Sequence, residues 1–226
     1  MATSKQENKM SGLTIRNRKM NFSNWGLTTA LSVALAFGSF AQAHAQQGNP
    51  DATINIGSLY EPQNLDNAAG AGQGINEAFN GNVYEALFRL DDNGTVEPVL
   101  SKDYTVSDDG LTYTFKLQPG VKFHSGAPLT SKDVKFSIER VAAPESKSSR
   151  KSSLKTITGI ETPDDETVVV KLSSRSISLP YNLSYVWVVN DEATDFQSKE
   201  DGTGPYALED WRRGSSLAIK RFNDYW

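Results

Sequence analysis

Apolar and polar positions divide the chain into three regions of different texture. Residues 25–40 form an apolar run behind a basic segment. Residues 53–89 combine a short alternating stretch with a loop rich in glycine and alanine. From residue 90 onward, short runs of alternating apolar and polar residues are separated by turn sequences, which is typical of strands joined by tight turns. The pattern predicts an α/β protein that follows an N-terminal targeting segment.

Two β-hairpins are predicted in the region of alternating residues. Apolar side chains occupy every second position of residues 111–117, which predicts a half-buried strand. Residues 104–107 precede it across an Asp-Asp-Gly turn and supply its partner. A second hairpin joins residues 156–161 to residues 167–172 across a Pro-Asp-Asp turn. These strands predict a small antiparallel sheet.

Two helices are predicted from apolar positions that recur every three or four residues. The first begins near Asn76, or after Gly81, and carries Phe79, Val83 and Leu87 on one face. The loop before it contains three glycines and three alanines within residues 64–74.

The second helix begins at Thr130 and Asp133, which together resemble a capping box, and Pro144 stops it. Residues 53–59 predict a first strand and residues 184–189 a buried strand. The segment 146–153 is rich in serine and basic residues and predicts a mobile loop.

The first 45 residues are predicted to be a secretory signal. The basic residues that precede the apolar run are Lys5, Lys9, Arg16, Arg18 and Lys19. The run itself is shorter than the about 20 residues that a membrane-spanning helix needs. Ala43-His44-Ala45 then supplies a small-x-small cleavage pattern. We therefore expect cleavage after Ala45 rather than a transmembrane anchor.

The charge and the cysteine content of the chain exclude several kinds of partner and site. The chain has 23 Lys and Arg and 27 Asp and Glu. Removal of five basic residues and one acidic residue with the signal leaves 18 against 26, a net charge of −8. Such a surface repels phosphate backbones, so nucleic acid is not expected as a partner. There is no cysteine, which excludes disulfides, thiolate metal sites and the cysteine that a lipoprotein anchor requires.

The most specific motif is GTGPYALEDWRRGSSLAIKRFNDYW at residues 202–226. It predicts a Gly-Thr-Gly-Pro-Tyr turn, a strand at residues 207–211, a turn at Gly214 and a strand at residues 216–221. With the blocks at residues 83–98 and 107–141, it resembles the extracellular solute-binding proteins of family 5. These are the peptide, nickel and opine receptors of bacterial ABC importers.

The resemblance implies part of a type II periplasmic-binding-protein fold, with one incomplete ligand-binding lobe and a small mixed α/β domain. Residues 52–89 and 179–226 would form the lobe, and residues 90–178 the small domain. Because the motif lies well before the middle of family members, we expect the chain to be the N-terminal part of a receptor. The hinge, the opposite lobe and the usual ligand-anchoring carboxylate would then lie beyond Trp226.

The glycine-rich loop is the best candidate for a ligand site. In the family, the segment between the first strand and the first helix lies along the ligand cleft. Gly70, Ala71 and Gly72 have little side-chain bulk, so their backbone could pair with an extended peptide. Gln73 adds a donor and an acceptor. The alternative is a flexible surface loop, and the two interpretations have about equal weight.

The other chemical candidates are weaker. His124 is the only histidine after the predicted cleavage site, and a metal site needs several ligands, so we interpret it as a turn residue that helps to close the hairpin over the helix that follows. No metal or cofactor is expected. Ser148-x-x-Lys151 and Ser152-x-x-Lys155 match part of a hydrolase motif, but the Ser-Asp-Asn and Lys-Thr-Gly elements that accompany it are absent from the sequence.

Three aromatic residues close in sequence, Tyr181, Tyr185 and Trp187, either floor a ligand pocket or, more often in proteins, belong to the core. Arg150 and Lys151 either face the cleft or are solvated surface.

Together these features predict a periplasmic receptor, not lipid-anchored and not an enzyme, that captures a peptide-like solute and delivers it to an inner-membrane ABC permease. Nickel, haem, opines and sugars stay open as solutes. The alternative is a secreted hydrolase or an adhesion module. A hydrolase would be recognised by a serine hydroxyl held against His124.

Overall fold

The computed structural model describes residues 52–70 and 72–226, and the predicted signal at residues 1–45 lies outside them. The described residues form strands β1 (Phe88–Leu90), β2 (Val96–Pro98), β3 (Ser101–Val106), β4 (Thr112–Leu117), β5 (Ile157–Asp164), β6 (Thr167–Leu172), β7 (Tyr206–Arg212) and β8 (Ser216–Arg221). The α-helices are α1 (Gln73–Phe79), α2 (Ser131–Ala142) and α3 (Leu179–Leu183), and 3₁₀ turns cover Asn67–Ala69 and Lys151–Leu154. None of the helices described is both long enough and apolar enough to span a bilayer.

The main sheet consists of two hairpins that lie side by side in the order β3-β4-β6-β5, with all neighbours antiparallel. Phe115 in β4 pairs with Tyr104 on one side and with Val168 on the other. Phe115 and Val168 are fully buried, because every second side chain of each strand points to the same face. Both predicted hairpins are confirmed, although the second turns at Asp165 and Glu166, slightly later than expected.

Helix α2 covers the buried face of this sheet. Its first turn is closed by the predicted capping box, in which the Thr130 backbone N–H donates to a carboxylate oxygen of Asp133 at 2.7 Å. The helix ends at Ala142, two residues before Pro144. The side chains that it buries in the main core are Val134, Ile138 and Val141. The sequence pattern therefore predicted both the limits and the buried face of α2.

A second, smaller core surrounds α1. Its buried members are Leu65, Ile75, Phe79, Val83, Tyr84 and Trp187. The β7–β8 hairpin packs against its edge through Leu208, Trp211, Leu217 and Ile219. This hairpin turns at Gly214, as predicted. The division into a lobe (residues 52–89 and 179–226) and a small domain (residues 90–178) stays a prediction.

Two of the predicted strands are absent. In residues 53–59, Ile54, Ile56 and Leu59 are 81%, 86% and 96% exposed, and no described strand lies beside them. A strand needs a hydrogen-bonded partner as well as an alternating sequence, so the pattern alone misled the prediction. The prediction for residues 184–189 is also wrong, since only an isolated bridge at Trp187 forms there.

The prediction for the first helix is wrong in its limits. Helix α1 begins at Gln73, three residues before Asn76, and ends at Phe79. Gly81 follows with a φ of +73°, which other residues rarely adopt and which turns the chain away from the helix axis. Val83 and Leu87 are buried nonetheless. They lie in the segment that follows this turn rather than on α1.

Two glycines of the C-terminal motif allow the chain to lie directly on the backbone of an earlier segment. A Cβ atom at Gly202 would lie 2.0 Å from the carbonyl oxygen of Val83, and one at Gly204 would lie 2.3 Å from that of Asn82. The N–H of Gly204 donates to the Val83 carbonyl, and the N–H of Tyr206 donates to the Asn82 carbonyl, each at 2.9 Å. The two segments are thus joined by backbone contact with no side chain between them.

We predict that Gly204→Ala lowers the free energy of unfolding by at least about 2 kcal/mol, because a methyl group at this position forces two backbones apart. Gly159→Ala is the matched control, since a Cβ there meets no atom within 4 Å. Urea denaturation of both variants checks the prediction. Equal stabilities for the two variants would show that the backbone contact tolerates a side chain.

Candidate functional site

The predicted ligand loop connects the first 3₁₀ turn to α1 and lies at the surface. Gly70 ends the 3₁₀ turn with a φ of +76°, and Gly72 precedes α1 with a φ of +81°. Gln73 is the first residue of α1, and all three residues are exposed. Ala71 lies outside the described residues. Participation of Gly70, Ala71, Gly72 and Gln73 in ligand binding stays a prediction.

A buried ion pair holds the start of this loop. Both guanidinium amino groups of Arg140 donate to the carboxylate of Asp66, one of them at 2.7 Å. The same carboxylate accepts the N–H of Ala68 at 2.9 Å and so caps the 3₁₀ turn. The Asp66 side chain is 4% exposed, and the guanidinium lies 4.1 Å from the centre of the Phe196 ring. The last turn of α2 therefore fixes the position from which the loop departs.

Close contacts with other segments also hold the chain directly before and directly after the loop. The Ala68 carbonyl accepts the N–H of Lys147 at 2.9 Å, and a Cβ at Gly70 would lie 3.2 Å from the Cβ of Lys147. On the far side, a Cβ at Gly74 would lie 2.4 Å from the carbonyl carbon of Glu61. The loop thus lies between two tightly packed segments, and its described residues Gly70, Gly72 and Gln73 are exposed.

A cluster of one cationic and two aromatic side chains lies next to the 3₁₀ turn at Asn67–Ala69. The guanidinium carbon of Arg150 is 3.5 Å from the centre of the Tyr185 ring, and Tyr181 meets that ring edge to face at 5.5 Å. The side-chain amide of Asn67 donates to the Tyr185 carbonyl at 3.4 Å. Arg150 and Tyr185 are half-buried, and Tyr181 is 40% exposed.

Trp187 does not join this cluster. It is buried in the smaller core, where it stacks on Tyr84 with ring centres 5.0 Å apart and donates to the side-chain oxygen of Asn80 at 2.8 Å. The core interpretation therefore holds for Trp187, while the two tyrosines lie at the surface beside the candidate loop.

His124 lies in a turn, as predicted, and its ring connects this turn to the C-terminal motif. Its Nδ1 faces a carboxylate oxygen of Glu200, and its Nε2 lies 2.9 Å from the carbonyl oxygen of Gly204. Both side chains of the ion pair are almost completely buried, at 7% and 6% exposed. Because both ring nitrogens face oxygen atoms that accept hydrogen bonds, the geometry favours the doubly protonated, cationic ring.

The titration of His124 follows from this geometry. Burial lowers its pKa, but the Glu200 hydrogen bond, the Gly204 carbonyl and the charges of Glu200 and Asp201 outweigh burial and raise the pKa above its ordinary value. Neither ring nitrogen is bonded to a serine, and the hydroxyl of the adjacent Ser125 donates to Asp201 at 2.9 Å. The hydrolase arrangement is therefore not formed at His124.

Ser148 and Lys151 likewise do not face each other as a catalytic pair. The ammonium group of Lys151 donates to the Pro144 carbonyl, and the Ser148 hydroxyl accepts the N–H of Arg150 at 3.3 Å. Among residues 52–70 and 72–226, no three His, Asp or Glu side chains come together in a way that could hold a metal ion.

Glu85 is a buried carboxyl group that the sequence analysis missed. It accepts the hydroxyl of Thr203 at 2.9 Å, the phenol of Tyr225 at 2.8 Å and the indole N–H of Trp226 at 3.1 Å. Burial raises its pKa despite these three donors. The available signal in the sequence was a single acidic residue inside the apolar run VYEALF. The groups that donate hydrogen bonds to it lie more than 100 positions away along the chain.

Comparison with known proteins identifies this arrangement as part of a solute-binding protein. A family model described as "Bacterial extracellular solute-binding proteins, family 5 Middle" matches residues 95–226, which is more than half of the chain. The chain therefore belongs to family 5 of the bacterial extracellular solute-binding proteins, as its motifs predicted. Members of this family bind solutes and are not enzymes, which confirms that prediction as well.

Individual relatives agree with the family. The chain is 32% identical over 204 residues to the glutathione-binding protein GsiB of Salmonella paratyphi A, and the match covers 87% of this chain and 38% of GsiB. The chain thus spans a little over a third of the length of the curated relatives it matches.

Two solved structures share the fold. One is AgaA from A. tumefacien R10 in complex with agropinic acid, with a TM-score of 0.65, 32% identity and coverage of 74% of this chain and 35% of AgaA. The other is the oligopeptide-binding protein AppA from Bacillus subtilis with a nonapeptide, with a TM-score of 0.67, 25% identity and coverage of 74% and 36%. Both are type II periplasmic binding proteins, and the chain reproduces part of their fold, as predicted.

We predict that His124 makes stability depend on pH. Because its pKa is raised in the folded protein, its contribution is complete below about pH 6.5, the ordinary pKa of histidine, and is lost as pH rises through the raised value. His124→Gln should lower the free energy of unfolding by about 1–3 kcal/mol at pH 6, with a smaller loss at higher pH. Urea denaturation from pH 5.5 to 9 measures this difference. As a control, Ser125→Ala removes the neighbouring hydrogen bond to Asp201 and should lower the free energy of unfolding by an amount that does not depend on pH. If the loss caused by His124→Gln were also independent of pH, it would contradict a cationic ring.

We predict that Arg140→Gln costs about 3 kcal/mol of stability, because it leaves the Asp66 carboxylate buried without its partner. In the double variant with Asp66→Asn, the free energy of unfolding should fall by at least about 1 kcal/mol less than the sum of the two single losses. Interaction energies of this size are expected for residues in direct contact. Hydrogen exchange in residues 66–73 should also accelerate.

Arg89→Gln breaks an ion pair whose arginine is 70% exposed, and it should cost less than about 1 kcal/mol. Additive losses at positions 66 and 140 would mean that the pair does not anchor the loop.

Proposed function

We propose that this protein is a receptor that captures a peptide-like solute outside the cytoplasmic membrane and delivers it to an ABC importer. The observation that carries the proposal is the pair of exposed glycines, Gly70 and Gly72, which lie at the surface between two tightly packed segments. Membership of a solute-binding family and relatives named for glutathione and oligopeptides support it.

The loop suits an extended peptide for physical reasons. Gly70, Ala71 and Gly72 present backbone N–H and C=O groups without large side chains, so a peptide can approach as an additional strand would. Gln73 offers an amide that both donates and accepts. Because the segments on either side of the loop are already held by close contacts, less conformational entropy is lost when a ligand orders the loop.

The proposed organisation follows the family. Residues 52–89 and 179–226 contribute to a ligand-binding lobe, and residues 90–178 form a small α/β domain beside it. A second lobe closes over the solute, and the closed form docks on the permease. The predicted signal at residues 1–45 directs export, and because residues 46–226 offer no cysteine for a lipid anchor at the predicted cleavage site, the receptor is free in the periplasm.

Calorimetry on the full-length protein with glutathione and with tri- and tetrapeptides tests this function. We expect a dissociation constant in the micromolar range or tighter for at least one of them. Gln73→Ala should weaken binding about 3- to 10-fold, the effect of losing one or two hydrogen bonds. Gln118→Ala, in the turn after β4, is the control and should bind normally. Failure of every peptide to bind would reject a peptide-like solute, and unchanged binding by Gln73→Ala would move the site away from the loop.

A further inference from the structure

Arg150 is a half-buried charged residue whose side chain lies over an aromatic ring. Its guanidinium carbon is 3.5 Å from the centre of the Tyr185 ring. The ion pairs among residues 52–70 and 72–226 do not include Arg150. Its charge is therefore not matched by a carboxylate in the part of the chain that the structure describes.

The surroundings of Arg150 are basic although the chain is acidic. Residues 147–155 contain four basic residues and no acidic one, whereas the whole chain has a net charge of −4. Lys147 lies against Gly70, and Asn67 is hydrogen-bonded to the Tyr185 carbonyl. The positive segment therefore borders the proposed peptide loop.

The contact with Tyr185 favours one kind of ligand. Because the ring covers the guanidinium on one side, a ligand meets its N–H groups from another side, and paired N–H groups match the two oxygens of a carboxylate. The tyrosine also restricts the arginine side chain, which reduces the entropy lost when an anion binds. A neutral or cationic group gains neither advantage there.

We propose that Arg150, supported by Tyr185, binds a free carboxylate of the solute, so that the receptor selects anionic peptide-like molecules. This inference rests on the proposed function and specifies its ligand class. Lys147 adds positive potential on the side of the loop, and Tyr181 forms the outer edge of the platform. The site discriminates between solutes that differ only in whether a carboxyl group is free or blocked.

Two pairs of probes test the inference on the full-length protein by calorimetry. One pair is glutathione and its diethyl ester, and the other is trialanine and trialanine amide. The unmodified protein should bind the free acid of a pair about 10- to 100-fold more tightly than the blocked form, the factor expected for charged hydrogen bonds. Arg150→Gln should weaken binding of the acid by a similar factor and leave the blocked form within about twofold, so that discrimination disappears.

Two further variants complete the design. Arg150→Lys keeps the charge but loses the planar fork, and it should recover only part of the affinity. Arg89→Gln removes the same charge from an exposed pair on the β1–β2 hairpin, and it should discriminate as the unmodified protein does. Circular dichroism verifies that each variant is folded. If Arg150→Gln does not fold, the inference is still tested by comparing the acid and blocked probes on the unmodified protein and on Arg150→Lys.

The outcomes separate the inference from the proposed function. Equal affinity of the unmodified protein for acid and blocked probes overturns the carboxylate site and leaves a peptide receptor. An equal loss for both probes in Arg150→Gln also overturns it, because the arginine would then act only through packing. No binding of any probe overturns the proposed function and the inference with it.

Discussion

The structure depends on a contact between two backbones that only glycine permits. Gly202 and Gly204 lie on the carbonyl groups of Val83 and Asn82, at distances that leave no room for a side chain. This contact brings the C-terminal motif against the segment that follows α1. Three further interactions then become possible: His124 reaches Glu200, Thr203 reaches Glu85, and the β7–β8 hairpin covers the smaller core.

Buried carboxylates mark the places where distant parts of the chain meet. Asp66, Glu85 and Glu200 are each bonded to groups at least 74 positions away. A buried charge without a partner is costly, so each of these pairs penalises any arrangement in which the segments are displaced. Hydrophobic contacts are more tolerant of displacement, since they depend on area rather than direction. The polar pairs therefore specify how the segments are aligned.

Local features of the fold could be predicted, and features that depend on distant partners could not. The strand at residues 112–117 and helix α2 follow from alternation, helical spacing and a capping box, all of which are visible within a dozen residues. Residues 53–59 show the opposite case, because an alternating sequence becomes a strand only beside a partner. The left-handed turn at Gly81 likewise outweighed a helical spacing that looked regular.

The candidate site shows the same limit. The glycine loop was visible from composition, but its anchors were not, since Arg140 lies 74 positions from Asp66. The contact between Arg150 and Tyr185 was equally hidden, because nothing in a basic, serine-rich segment indicates which charge lies on a tyrosine ring. Such pairings are products of the tertiary fold, and single-sequence patterns carry no direct signal for them.

The anchoring of the loop has a kinetic consequence. A segment that must be ordered by its ligand slows the encounter, because many collisions find it in the wrong shape. Here an ion pair on one side and a close backbone contact on the other hold the segments that flank the loop before any solute arrives. In a receptor built on this loop, solutes of different affinity would associate at similar rates and differ in how long they stay.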